Sequence, residues 1–242
     1  MPFEGRHLER RAQPAELPEW MDEPCSYEEF RDCLVDLAKV NRVTLAQQPT
    51  LRWLDSLVAK GGNGRPLRIL DVGCGGGDML RSIAAWAKRR HVTVELTGID
   101  LNPHATRAAR EMTAKNLVIE WITGDVYEYS PVGGIDVVIS SLMTHHMPDA
   151  EIVRFMTWME LVTTRGWFVN DLHRRWIYVE LFDGLAKVAH WHRFVKHDGP
   201  VSIRRSFRDE DWCRMGAAAG INLDLLRIER CFPGRLCVGR LK

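Results

Sequence analysis

The sequence predicts an α/β fold, a Rossmann-like, seven-stranded and mostly parallel sheet flanked by helices and closed by a C-terminal antiparallel hairpin. Three observations carry this. From Arg68 onward, short apolar runs alternate with amphipathic helical stretches, the pattern of a parallel sheet covered on both faces. The first run leads into a glycine-rich turn and a helix, "RILDVGCGGGDML" over residues 68–80. The tail "INLDLLRIERCFPGRLCVGRLK" reads as two strands around a Phe-Pro-Gly turn.

The elements follow in order. Residues 1–24 are polar, carry Pro2, Pro14, Pro18 and Pro24, and read as an extended arm. Residues 25–62 read as a helical lid. In its first helix Phe30, Leu34, Leu37 and Val40 share a face, and Ser26 with Glu29 suits a capping box. A second helix starts at Pro49 and stops at Gly61-Gly62. Residues 63–242 form the main domain. Its strands are expected at 68–72, 93–99, 117–123, 135–140 and 166–171, and its helices near 78–90, 103–115, 149–164 and 209–220. Residues 172–200 break the alternation, are rich in aromatic residues and histidine, and read as a helical cap over the carboxyl ends of the strands, where open α/β sheets bind ligands. The stretch "HDGPVSIRRSF" is expected to return the chain from that cap.

Composition narrows the function. The chain has 242 residues, 45% of them hydrophobic and 27% charged, with a net charge of +1. Basic and acidic residues are interspersed, so nucleic acid and acidic membranes are not expected partners. The six cysteines form no CxxC pair and suit reduced thiols, so a cytoplasmic protein is expected. The first twenty residues have no apolar core and do not read as a secretory signal, and no apolar run in this sequence is long enough to span a bilayer, so no stable membrane insertion is expected. An aromatic-basic stretch within the cap has the composition of a membrane-surface helix, but an internal lid is the preferred reading.

The glycine turn does not suit a nicotinamide dinucleotide. Gly73 and Gly75 fill the first two places of G-x-G-x-x-G, but the third place is Asp78, whose charge at a helix N-terminus repels a pyrophosphate. The same stretch suits a ligand with an ammonium group. Asp71 ends the first strand, and glycines 73, 75 and 77 let the backbone approach a ligand. Asp100 ends the second strand, where an acid takes ribose hydroxyls, and Asn102-Pro103 starts the next helix as N-cap and N1. Asp125 follows the third strand, and residues 140–146 follow the fourth.

With "LDVGCGGG", "GIDLNP", "GDV" and "IDVV" in this order and spacing, residues 65–171 resemble the class I S-adenosylmethionine-dependent methyltransferases. The resemblance implies S-adenosylmethionine as cofactor and S-adenosylhomocysteine as product. It places Asp71, Gly73, Cys74 and Gly75 at the methionine part, Asp100 and Leu101 at the ribose, Asp125 and Val126 at the adenine, and Ser141 and Leu142 on the sulfonium side. Cys74 reads as a packing residue and not as a nucleophile. The helical prelude and the segments "SSLMTHH", "NDLHR" and "HDGPVSIRRSF" are similar to bacterial methyltransferases of polyketide and quinone-type biosynthesis, which implies a small aromatic acceptor, a monomer or a homodimer, and a role in secondary metabolism.

A phenol of ordinary pKa near 10 needs a base before it attacks a methyl group. His145 and His146 follow the fourth strand, and Asp171 and His173 follow the fifth, so these four are the candidate catalytic residues. Arg42, Trp176, His197 and Arg204 are candidate substrate contacts. No metal is expected, because His190 and His192 on one helix point apart and no carboxylate set accompanies them.

O-methylation of a phenolic or polyketide-type acceptor is the leading reading. C-methylation of an activated ring needs a similar base and stays open. So does a non-transferring protein, or a cyclase, that uses the cofactor for its charge. A nucleic-acid methyltransferase is disfavoured, because "SSLM" stands where a proline-rich base-amine motif would be expected.

Overall fold

A computed structural model describes residues 8–61, 64–188 and 191–242. Gly62, His190 and the first seven residues of the expected arm lie outside them.

The sheet has seven strands: β1 (Leu67–Val72), β2 (Val94–Asp100), β3 (Glu120–Thr123), β4 (Ile135–Ser141), β5 (Thr163–Leu172), β6 (Arg227–Cys231) and β7 (Arg235–Leu241). Their spatial order is β3-β2-β1-β4-β5-β7-β6. The first five are parallel, and β7 runs antiparallel to both β5 and β6. The order reverses between β1 and β4, so the ligand crevice of such a sheet opens at the carboxyl ends of these two strands.

The helices are α1 (Tyr27–Val43), α2 (Gln48–Ala59), α3 (Asp78–Arg90), α4 (Pro103–Met112), α5 (Asp149–Val162), α6 (Trp176–Val188), α7 (Arg193–Arg205) and α8 (Asp209–Ala218). One core layer joins α2 and α3 to the sheet through Trp53, Leu54, Leu80, Ile83 and Trp86. The other joins α5 and α8 to the opposite face through Phe155, Met156, Trp167, Trp212 and Met215.

Several expectations are adjusted. β3 is shorter than residues 117–123, and α4 stops before residue 115. α5 passes directly into β5, which begins at Thr163 and not at Gly166. Ser26 does cap α1 by accepting the Glu29 N–H at 3.2 Å, but the Glu29 carboxylate goes to Arg193, so the box is half made. The face of Phe30, Leu34, Leu37 and Val40 is turned inward, where it lines a cavity.

The largest correction concerns "HDGPVSIRRSF". It does bring the chain back, to Phe207 beside the end of β5, but as a helix and not as a loop: residues 193–205 are one helix, α7, with Pro200 inside it. Proline costs a helix interior a hydrogen bond, about 3 kcal/mol, and so reads as a breaker. Here the helix is held by its packing. A Cβ on Gly199 would lie 2.1 Å from Phe182, so the glycine lets α7 press against α6.

Candidate active site

A cavity of about 1050 Å³ opens above β1 and β4. The glycine turn forms one wall. Gly73, Gly75 and Gly77 have φ of +68°, +50° and +75°. They differ in what surrounds them. A Cβ on Gly75 would meet only Leu34 at 3.7 Å, whereas one on Gly77 would lie 2.3 Å from Trp121. Gly77 therefore serves packing against β3, not approach to a ligand.

Of the expected cofactor residues, Gly73, Cys74, Gly75, Asp100, Leu101, Asp125, Val126, Ser141 and Leu142 all line this cavity. Asp100 accepts the Gly75 and Asn102 N–H groups, both at 2.9 Å, one on each oxygen. Each oxygen keeps a lone pair for a hydroxyl donor. Burial pushes its carboxyl up against those two bonds. Asp125 accepts the Tyr127 N–H at 2.9 Å. Burial also pushes the Cys74 thiol up, so it packs as an inert side chain. Asp71 differs from expectation in that it lies beneath the loop and is not among the lining residues. Its Oδ1 has no hydrogen-bond partner, and burial, with Asp78 and Asp100 nearby, raises its carboxyl well above the usual range. An orphaned buried acid, a wall with no side chains and an acid with free lone pairs fit a ligand that carries an ammonium and a ribose.

Across the cavity the two histidines come together. His145 and His146 form a short 3₁₀ turn after β4, with ring centroids 4.3 Å apart. His145 Nδ1 lies 2.7 Å from Asp171 Oδ1. Asp171 also accepts the Thr144 hydroxyl at 2.5 Å, the His145 N–H at 3.1 Å and the Leu172 N–H at 2.7 Å. Burial alone would raise the Asp171 carboxyl, but its contact with His145 and these bonds hold it well below the usual range.

The chain's N-terminal arm completes the cluster, which the sequence reading did not anticipate. Glu19 places Oε1 3.7 Å from His145 Nε2 and Oε2 3.7 Å from His146 Nε2. Asp22 Oδ1 lies 2.8 Å from His146 Nδ1. Arg205 reaches Glu19 at 3.3 Å, Asp22 at 3.1 Å and the His145 carbonyl at 3.0 Å. The arm itself is pinned by α7. Asp198 accepts the Trp20 and Met21 N–H groups, and the Ser202 hydroxyl lies 3.0 Å from Glu19 Oε1. Asp198, Ser202 and Arg205 stand four and three residues apart, on one helix face. That spacing is visible in the sequence once Gly199-Pro200 is not taken as a break. Arg11, also in the arm, donates to the carbonyls of His145 and Met147 at 3.2 and 2.6 Å and pairs with Asp149 at 2.6 Å. Among the described residues, Glu19, His145 and His146 are the one group of three whose ligand atoms lie close enough together to hold a metal ion, within 4.8 Å. Ser202 and Arg205 already occupy the Oε1 side of that glutamate.

Other expected residues stand elsewhere. His173 and Trp176 line a separate cavity of about 340 Å³ with Arg175, Arg208 and Arg230. Alternation alone would put Asp171 and His173 on one face, but β5 ends at Leu172; past it His173 donates its N–H to the Gly234 carbonyl and bridges to Phe207, while Asp171 turns to His145. Arg42 is exposed on α1, where its neighbours Asn41 and Val43 line the large cavity in its place. His197 stacks on Trp20 at 3.9 Å and bonds Asp198, outside the cavity lining. Arg204 donates to the Pro200 carbonyl and is also not a lining residue.

Residues 69–166 match a family described as a methyltransferase domain. The ubiquinone biosynthesis O-methyltransferase of Albidiferax ferrireducens is 31% identical over 169 residues, which cover 67% of this chain and 60% of that protein. The chain spans 60% and 50% of the length of the first two curated relatives it matches. Among solved structures, the plantazolicin methyltransferase in complex with S-adenosylhomocysteine superposes with a TM-score of 0.61 at 15% identity, over 88% of this chain and 95% of that one. The CMeT domain of the citrinin polyketide synthase does so with a TM-score of 0.59 at 17% identity, over 81% of this chain and 52% of that one. Residues 69–166 thus match a methyltransferase domain, and the chain has the fold of these solved methyltransferases. Solved structures of this fold hold S-adenosylmethionine or its demethylated product.

Proposed function

We propose that this protein methylates the hydroxyl of a small aromatic or polyketide-type acceptor, with His145 as the base. The observation that carries the reading is the contact of His145 Nδ1 with Asp171, which leaves Nε2 toward the cavity beside Glu19.

When bound, the cofactor supplies an electrophilic methyl group on a sulfonium. The chain's residues do the rest. Asp171, held by four donors, keeps the His145 proton on Nδ1 and so leaves the Nε2 lone pair for the acceptor's proton. Glu19 and Asp171 stabilise the imidazolium that forms. Phe30, Leu37, Tyr178, Leu181, Phe182 and Leu185 line the acceptor half, and their flat apolar surfaces suit a ring and exclude water. Asp100 and Asp125 hold the hydroxyl and amino donors of the cofactor's adenosine. The ubiquinone-pathway relative, named for O-methylation, supports an oxygen acceptor. The cysteines, all free thiols, suit a cytoplasmic protein. Among the described residues no helix is long and apolar enough to cross a membrane.

The test is mass spectrometry of reactions with S-adenosylmethionine and a panel of phenols, alkylresorcinols, quinols and naphthols. A mass gain of one methyl, with fragmentation placing it on oxygen, supports the reading. A methyl on ring carbon makes the protein a C-methyltransferase. Tight cofactor binding with no product across the panel removes the phenolic acceptor.

A further inference from the structure

At the end of the large cavity bounded by α1 and α3 sits a buried cation with no role in the chemistry above. Arg235 begins β7 and pairs in register with Leu172, so its side chain lies on the sheet face that Asn170 and Cys237 share. It lines the cavity yet is only 4% exposed. Nη2 lies 3.4 Å from Asn41 Oδ1, and Nη1 has no hydrogen-bond partner. Among the described residues no carboxylate lies within ion-pair distance of it.

The two acids whose charges reach it, Asp171 and Asp78, are engaged elsewhere, Asp171 by its four donors. Asp78, which also lines the cavity, accepts the side-chain amides of Asn41 at 3.1 Å and Gln47 at 2.8 Å, both on Oδ2. A guanidinium stays charged in proteins, and a buried charge without a counter-ion is costly. A cavity that keeps one is built for an anion. The polarity along the cavity says which end of a ligand this is. Asp100 and Asp125 provide acceptors at one end, and Arg235 with the Asn41 side chain stands apart from them, at the other. The unpaired Oδ1 of Asp71, buried beneath the glycine turn, is a group of opposite sign for an ammonium.

We propose that Arg235, positioned by Asn41, is a carboxylate receptor, and that the carboxylate is that of the cofactor's amino-acid end. The inference rests on the cofactor reading above. A carboxylate on the acceptor is the other source of the same chemistry.

Calorimetry of S-adenosylhomocysteine, its decarboxylated analogue and 5′-methylthioadenosine separates the cases, using the wild type, Arg235→Gln and Arg235→Lys. The wild type is expected to bind S-adenosylhomocysteine about 30-fold or more tighter than the decarboxylated analogue. In Arg235→Gln that preference falls to within about threefold while the analogue's own affinity is unchanged, and Arg235→Lys is intermediate. The unchanged analogue doubles as the control for folding. If Arg235→Gln keeps the preference but loses binding of benzoate that the wild type shows, the receptor stands and its carboxylate is the acceptor's. If the wild type does not distinguish the two nucleosides and binds no benzoate, the receptor is refuted. If none of the three nucleosides binds the wild type, the cofactor reading falls, and the receptor with it.

Discussion

His145 Nδ1 stands 2.7 Å from Asp171 Oδ1, and that carboxylate accepts three further donors from Thr144, His145 and Leu172. A residue of the turn after β4 and one at the end of β5 are thereby held as one unit at the carboxyl edge of the sheet. His145→Asn and Asp171→Asn are each expected to lower turnover about 10²- to 10⁴-fold. S-adenosylhomocysteine affinity, measured by calorimetry, should change little. Full turnover in both variants would remove the base assignment.

His173 provides the contrast. It faces the smaller cavity, and burial and nearby arginines lower its pKa. His173→Ala is expected to keep kcat within about threefold of the wild type, since it removes no group from the reaction centre. A loss comparable to that of His145→Asn would mean the two cavities communicate.

The docking of the arm depends on pH. Burial opposes the charged form of His146, but Glu19 and the bonded Asp22 outweigh it and raise its pKa. Such a group adds stability below the unfolded value of about 6.5 and loses it as pH rises through the folded value. Asp22 is pulled down to about 2, against burial, by His146 and then Arg205. It adds stability above about 3.9 and loses it as pH falls through about 2. The Tm difference between wild type and His146→Gln should therefore be largest near pH 5 and shrink toward pH 9. A constant difference over that range would contradict the ion pairing.

Arg11 is the arm's structural anchor, 3% exposed and bonded to the carbonyls of His145 and Met147. Arg11→Ala leaves these carbonyls and Asp149 short of a donor. It should destabilise the protein by about 3 kcal/mol in urea unfolding. A change below about 0.5 kcal/mol would show that the arm is a surface appendage.

The glycine turn separates backbone strain from packing. Gly75→Ala, whose Cβ would make only an ordinary contact with Leu34, should cost about 1–2 kcal/mol for the left-handed conformation alone. Gly77→Ala adds a collision with Trp121 and should cost about 1–3 kcal/mol more. Trp121→Leu should relieve that extra cost in the double variant. Equal costs at both positions would contradict the packing role.

The sequence by itself determined the sheet, the glycine turn and the carboxylates that line the cavity beside it. These rest on local rules: strand periodicity, the conformational freedom of glycine, and an acid at each strand end. Asp100, Asp125 and the 141–142 turn could be read because each lies within a few residues of its own strand. The histidine cluster could not be read that way. Glu19 meets His145 across more than a hundred residues, through a proline-rich arm that has no period, and α7 holds that arm only because packing on α6 carries the helix through Gly199-Pro200. Arg235 is paired through β7, so whether its guanidinium meets an acid depended on where α1 turned Asn41 and how Asp78 was already bonded. Local preference is written residue by residue, whereas the pairing of buried charges is settled only when distant segments exclude water together.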